Sequence, residues 1–306
     1  MTINNENDEV YKNALSELKI GDIILVEGCN KISPKLIAAQ KLFYLKACSS
    51  HVMIHIGDGV VIHATGGKGV HLSPLFIELA NCKANWRVIR NNKLAEMDSD
   101  LVLKNTLQFY AQSYSTEVYK SKDVKFIESE SSFCSELAHK IYLSLGIDIH
   151  PSAKLLTSRK LFPCDLDRLA DSICPESDWM MVTDSYKAIF NLPDLDDYKF
   201  GIEMHTLHMD LRLKKRLHLS KSREFTFGTA LAEAQKNGST KSLEALDVIK
   251  DGLKNRQLKF WFDKDAQFGE RPIPSMAESI SGVEELLRLQ FEGMQRMMEI
   301  IAKYKK

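Results

Sequence analysis

The apolar positions change period several times along the chain, and each change marks an element. "YKNALSELKIGDIILVEG" reads as a short helix, a turn at Gly21-Asp22 and a strand from Ile23 to Val26. "SPKLIAAQKLFYLKACS" predicts a helix with Ser33 as N-cap, Pro34 at its first position and an apolar face of Leu36, Ile37, Phe43 and Tyr44. "HVMIHIGDGVVIHATGGKGVHLSPL" alternates as strand, tight Gly-Asp-Gly turn, strand, Gly-rich turn and a third strand around Val70 to Leu72, an antiparallel meander. A short helix ("PLFIELANC"), a strand ("NWRVIRN") and a helix capped by Asp98 or Ser99 ("DSDLVLKNTLQFYAQSY") follow. The charged stretch "STEVYKSKDVKFIESESS" has no clear period and reads as a solvated connection in preference to a lid. In "SESSFCSELAHKIYLSLG" the period returns to that of a helix, with Leu137, Ile141 and Leu145 on one face and Gly146 as its stop.

The texture shifts near residue 185. Before it lies a tail punctuated by Pro and Cys, "FPCDLDRLADSICPESDW". After it, "DLRLKKRLHLSKSREFTFG" alternates leucine with basic residues, and further helices lead to a long amphipathic run from "SISGVEELL" to the last residue. The pattern therefore divides into an arm, 1–18, a mixed region, 19–184, and a mostly helical C-terminal region, 185–306.

Composition narrows the function classes. Lys and Arg together number 41 and so do Asp and Glu, so no overall field draws the chain to nucleic acid, and any contact with a membrane or acidic partner must be local. The N-terminus is polar and acidic, without the apolar core of a secretory signal, and no apolar run is long enough to span a bilayer. The expectation is a soluble chain, cytoplasmic as synthesised, with secretion by a signal-independent route left open. The six cysteines lack both the density of a disulfide scaffold and the paired spacing of a zinc site, and Cys164, Cys174 and His150 do not make one. No cofactor or metal is expected.

Cys134 begins a helix, where unpaired amides and the positive end of the dipole favour a thiolate. As a nucleophile it needs an imidazole base, and the base needs a third group to fix its tautomer. His51 starts one strand of the meander and His63 lies twelve residues on in the next, so a turn at Gly57 to Gly59 sets them opposite each other and on one face. His55 shares that face by strict alternation and competes. Ser132 as N-cap and Glu136 in the first turn read as supports of the helix start, not as catalytic groups.

These residues resemble a family. "GDIILVEG", "SSHVMIHIGDGVVIHATGGKGVHLSPL" and "FCSELAHKIYLSLGIDIHP" are similar to the circularly permuted branch of the NlpC-type papain-like superfamily, in particular its YiiX/YebB-like and lecithin retinol acyltransferase-like groups. In that branch the histidine strand precedes the cysteine helix, as it does here. The resemblance covers residues 19 to 172. It implies an α+β fold in which a small antiparallel sheet packs against the helix carrying the cysteine, Cys134 as nucleophile, His51 as general base and His63 as the third polar group. Met53 departs from the small residue usual after the valine and is expected to narrow the cleft.

The implied chemistry is hydrolysis or acyl transfer through a thioester, with the Cys134 amide as oxyanion donor and no metal. A lipid acyl ester is the expected substrate. A cell-wall peptide amide is the alternative, in either case also as a delivered effector, and an inactive binding module is the reading from another class. Peripheral membrane contact and a protein partner for the C-terminal region stay open. An activated Cys134 is expected to alkylate at lower pH than the other five cysteines.

Overall fold

Four apolar residues in a row, Ile23–Val26, form the strand β1, and all four are buried, the pattern of a strand covered on both faces. The computed structural model that contains it describes residues 14, 16–117, 131–149, 160–190, 192 and 195–236. After β1 come α1 (Ser33–Gln40), then β2 (His51–His55), β3 (Val60–Thr65) and β4 (Gly69–Pro74) as the expected meander. Next are α2 (Leu75–Ala80), β5 (Arg87–Asn91), α3 (Asn92–Ala95) and α4 (Ser99–Leu107). A short parallel pair, β6 (Ser113–Tyr114) with β7 (Ser131–Ser132), leads to α5 (Cys134–Ser144). The described chain continues with α6 (Pro163–Asp171), β8 (Trp179–Met181), α7 (Thr183–Ile189) and α8 (Leu195–Lys236).

Six strands make one antiparallel sheet in the order β4-β3-β2-β1-β5-β8. The helix α5 packs on β2 and β3, and the nine residues from Cys134 to Tyr142 are all buried, so this helix is central. The fold is α+β, with its antiparallel sheet against the cysteine helix, as the motifs imply.

Three elements differ from expectation. The first helix ends at Gln40, and of its expected apolar face only Ile37 is buried, while Leu36 and Phe43 are exposed. The chain leaves Gln40 through successive turns, which break the helical period. The tail after residue 160 is structured: Pro163 sits in the first turn of α6, the Asp165 carboxylate accepts the Phe162 amide, and Trp179–Met181 adds an edge strand to β5. The core does not stop at residue 184, because Tyr186, Ile189, Ile202, Met209 and Leu213 belong to the same buried cluster as the sheet. The basic, leucine-rich stretch is part of α8, whose packing partner is β4. The expected lid or connection at 118–130 and the amphipathic run that ends the chain lie outside the described residues.

A buried carboxylate ties the sheet to the helix that follows it. Asp22 accepts from Arg90 Nε (2.8 Å) and Nη2 (2.7 Å), from the Tyr186 hydroxyl (2.8 Å) and from the Lys19 amide (3.1 Å), joining β1 to β5 and α7. No helix among the described residues is long and apolar enough to cross a membrane.

Candidate active site

The start of α5 lies one residue later than Ser132 as N-cap would place it. Phe133 is the N-cap, with extended backbone, and since its side chain cannot accept a hydrogen bond the only side-chain cap comes from Glu136, whose Oε2 takes the Phe133 amide (3.3 Å). Cys134 therefore occupies the first helical position, where amides lack intrahelical partners. Ser132 instead donates to Gln112 Oε1 (2.9 Å) and accepts from Lys140 Nζ (2.8 Å). Glu136 is fully buried and its Oε1 pairs with Lys160 Nζ at 2.9 Å, a structural engagement of the kind the sequence suggests.

The β2–β3 pairing explains what meets that helix start. The ladder runs only through Ile54 opposite Ile62 and His55 opposite Val61. From Met53 back to His51 the outer edge of β2 has no ladder partner on β3, and there the Val52 amide hydrogen-bonds to the Cys134 sulfur. Residue 51 thus adjoins the amide that touches the thiol.

Extending the ladder by one pair sets His63 against Met53, not against His51. The two histidines are diagonal neighbours on one face, and the diagonal is within reach of two imidazoles. His51 Nε2 and His63 Nδ1 are 2.8 Å apart, and His63 Nε2 lies 3.0 Å from Ser73 Oγ and 3.7 Å from Glu78 Oε1. One proton arrangement runs through the chain: His51 Nε2–H donates to His63, His63 Nε2–H donates to Ser73, and His51 Nδ1 keeps its lone pair.

Burial sets the resting charges. It lowers His51 to about 4, helped by the charge of His71, and lowers His63 well below 6.5, helped by His51, His71 and Lys68. Burial likewise pushes the Cys134 thiol up to about 11, against the opposing effect of hydrogen bonds from the Val52, Ser135 and Cys134 amides. At rest the thiol and the imidazole are each neutral, so the expected early alkylation of Cys134 does not follow: desolvation outweighs the helix N-terminus. Cys134 is only 7% exposed, whereas Cys29 and Cys174 are open to solvent. In the free protein at neutral pH, iodoacetamide should label Cys29 and Cys174 before Cys134; peptide mapping that finds Cys134 labelled first would contradict this charge state.

The competing residues have other engagements. His55 Nδ1 donates to the Lys19 carbonyl (3.0 Å) and Nε2 accepts the Gly59 amide (3.3 Å), so both nitrogens hold backbone. Gly59 can serve there because its φ is +70° and a Cβ would sit 2.5 Å from Ile202 Cδ1. His139 Nε2 meets Asp148 Oδ1 at 3.0 Å. His71 stands opposite His63 on β4 with ring centroids 4.3 Å apart and its Nδ1 on the Gly69 carbonyl. Met53 is completely buried in the core. Among the described residues no group of three or more His, Cys, Asp or Glu side chains is placed to hold a metal ion.

Sequence reading missed several contributors. Ser73 and Glu78, ten and fifteen residues past His63, reach its far nitrogen; only the β3–β4 register could have pointed to Ser73. Tyr114 lies close enough to Cys134 for the thiolate charge to raise its phenol, second to burial. Asp167 is fully buried and accepts the Cys48 amide (2.8 Å), the Ser49 amide (2.9 Å), Ser49 Oγ (2.6 Å) and Arg87 Nη2 (2.6 Å), clamping the chain just before His51. Nothing local in the sequence couples residues 118 and 119 positions apart.

No family model matches the chain, and no curated protein does. Among solved structures the chain is similar to the metalloprotein yiiX from Escherichia coli O157:H7, at 20% identity and a TM-score of 0.33, over 58% of this chain and 94% of that one.

Proposed function

We propose that this chain is a cysteine hydrolase or acyltransferase that acts on lipid acyl esters through a thioester. The observation that carries the reading is the 2.8 Å contact between His51 Nε2 and His63 Nδ1, on the strand whose Val52 amide reaches the Cys134 sulfur. In the proposed reaction His51 Nδ1 takes the Cys134 proton as sulfur attacks the ester carbonyl. The Cys134 and Ser135 amides face the negative charge that develops on the carbonyl oxygen. The tetrahedral intermediate collapses, the C–O bond breaks, and the imidazolium returns its proton to the leaving alkoxide, giving an alcohol and a thioester. Water or an acceptor alcohol then attacks, losing its proton to His51, and the acyl group leaves as acid or new ester while the thiol is restored.

The neutral resting pair is compatible with this. Moving one proton from sulfur to imidazole creates two opposite charges together, and their attraction offsets part of the cost of burying each. His63 holds the tautomer as a neutral acceptor and passes the polarisation to Ser73. A lipid substrate is supported by the aromatic surroundings: Phe133 adjoins Cys134, its ring lies 5.9 Å from that of Phe162, and Phe162 lies 5.8 Å from Phe43.

The test is incubation of the wild-type chain and Cys134→Ala with phospholipid vesicles and with purified peptidoglycan, the products identified by mass spectrometry. Free fatty acid or a transacylated lipid from the wild type alone is the expected result. Peptide fragments from peptidoglycan without lipid products would replace the substrate class by an amide, and no Cys134-dependent product from either would leave a binding module.

A further inference from the structure

The segment from Gly28 to Gly57 contains four lysines and no aspartate or glutamate, although the chain as a whole has no net charge. All four, Lys31, Lys35, Lys41 and Lys46, are exposed. Interleaved with them are Ile32, Leu36, Leu42, Phe43 and Leu45, five large apolar side chains that are also exposed, Leu42 and Leu45 at 85% each. Ile32 and Leu36 are one helical turn apart and share a side of α1. Single exposed leucines are ordinary; five within fourteen residues, ringed by cations, are a surface made for an apolar and anionic partner. On the facing helix α6, Asp167 and Asp171 share Arg87 and Asp171 also feels Lys46, while Arg168, bonded to the Phe43 carbonyl, supplies a second cation that balances the two acids.

The patch is continuous with the candidate site. Phe43, at its edge, packs on Phe162, and Phe162 on Phe133, the residue before Cys134. Seven residues after Tyr44 the same segment becomes β2 at His51. A surface that seats residues 31–46 therefore lies near the helix start that carries the thiol.

We propose that residues 31–46 form an interfacial docking surface for anionic phospholipid bilayers. Leu42, Leu45, Phe43, Leu36 and Ile32 enter the boundary between headgroups and acyl chains, and the four lysines meet lipid phosphates and carboxylates. An apolar face with a cationic border has this dual complementarity to a bilayer, whereas the remainder of the chain carries an excess of acidic residues and offers anionic lipid no net attraction of its own. Any benefit to catalysis rests on the lipid-ester reading; the docking itself does not.

Co-sedimentation of the full chain with phosphatidylcholine vesicles, with and without phosphatidylserine, tests it. The wild type is expected to bind vesicles containing phosphatidylserine, less so as salt rises. Leu42→Asp/Leu45→Asp, and separately Lys35→Glu/Lys41→Glu, should each weaken that binding about tenfold or more. These side chains are exposed, so an unchanged melting temperature verifies the fold of each variant. No binding by the wild type, or equal binding by Leu42→Asp/Leu45→Asp, would overturn the proposal, the second outcome assigning membrane affinity to another part of the chain. Turnover of a monomeric short-chain phospholipid, which needs no surface, separates the two ideas: turnover without vesicle binding sinks the docking surface alone, and vesicle binding without Cys134-dependent turnover sinks the lipid-ester reading alone.

Discussion

His51→Ala is expected to lower kcat/KM for a phospholipid ester by about 10²- to 10⁴-fold, the range for loss of a positioned general base, and Cys134→Ala to bring it to background. His63→Ala should cost less than His51→Ala, because it removes the acceptor that holds the base and not the base itself. His63→Gln, which keeps an amide oxygen within a similar reach, should recover part of that loss, and a side chain that only filled space would not show this recovery. The pH profile carries the same geometry. Activity needs neutral His51, and burial has lowered its pKa from 6.5 to about 4, so kcat/KM should fall as the pH drops through about 4 and not near 6.5. Towards alkaline pH the thiol stays protonated up to about 11, so the profile should run flat through neutrality. Rates measured across the range with a pH-insensitive substrate check both limbs. An acid limb centred near 6.5 would place His51 in water and not in the buried pair.

Asp167→Ala should destabilise the fold by about 3–5 kcal/mol, read from the urea midpoint, because a fully buried carboxylate with a cationic partner is lost. The deletion leaves the Cys48 and Ser49 amides and the Ser49 hydroxyl without their acceptor and leaves Arg87 with Asp171 as its remaining carboxylate. Asp167→Asn keeps an oxygen for the amides and should cost less, about 1–2 kcal/mol for weakened hydrogen bonds. Activity should fall along with stability, since residues 48 and 49 lead into His51 and would keep only weaker ties, among them Gln40 Nε2 on the Ser49 carbonyl, the Ser50 amide on the Val26 carbonyl and the Gly28 amide on Ser50 Oγ. A variant as stable as the wild type would mean that this clamp does not anchor the histidine strand.

Much of the fold was legible because it depends on neighbours in sequence. The Ile23–Val26 strand, the Gly-Asp-Gly hairpin and the helix that opens at Cys134 are set by local period and turn chemistry, and they lie where those signals place them, the helix start displaced by one residue from the Ser132 cap. The helix at Pro163 and the strand at Trp179 were harder to see. One lies in a stretch punctuated by Pro and Cys that reads as a tail, and the other is a three-residue edge strand with two exposed side chains, too short to show a period. The end of α1 at Gln40 was missed for another reason: its sequence continues the helical pattern, but Gln40 is tied to Ser49 and to the Cys164 amide, and the chain turns there.

The candidate site divides in the same way. By itself the sequence determined which side chains could do chemistry, Cys134 at a helix start and His51 and His63 on one face of a hairpin, because residue type and strand alternation are properties of the chain alone. Only the tertiary structure decided that His55 is held by backbone, that His63 meets His51 on the diagonal and ends on Ser73, that Asp167 clamps the approach to His51, and that thiol and imidazole rest uncharged. Register, long-range hydrogen bonds and desolvation arise when distant segments exclude water from one another, and no stretch of sequence contains that.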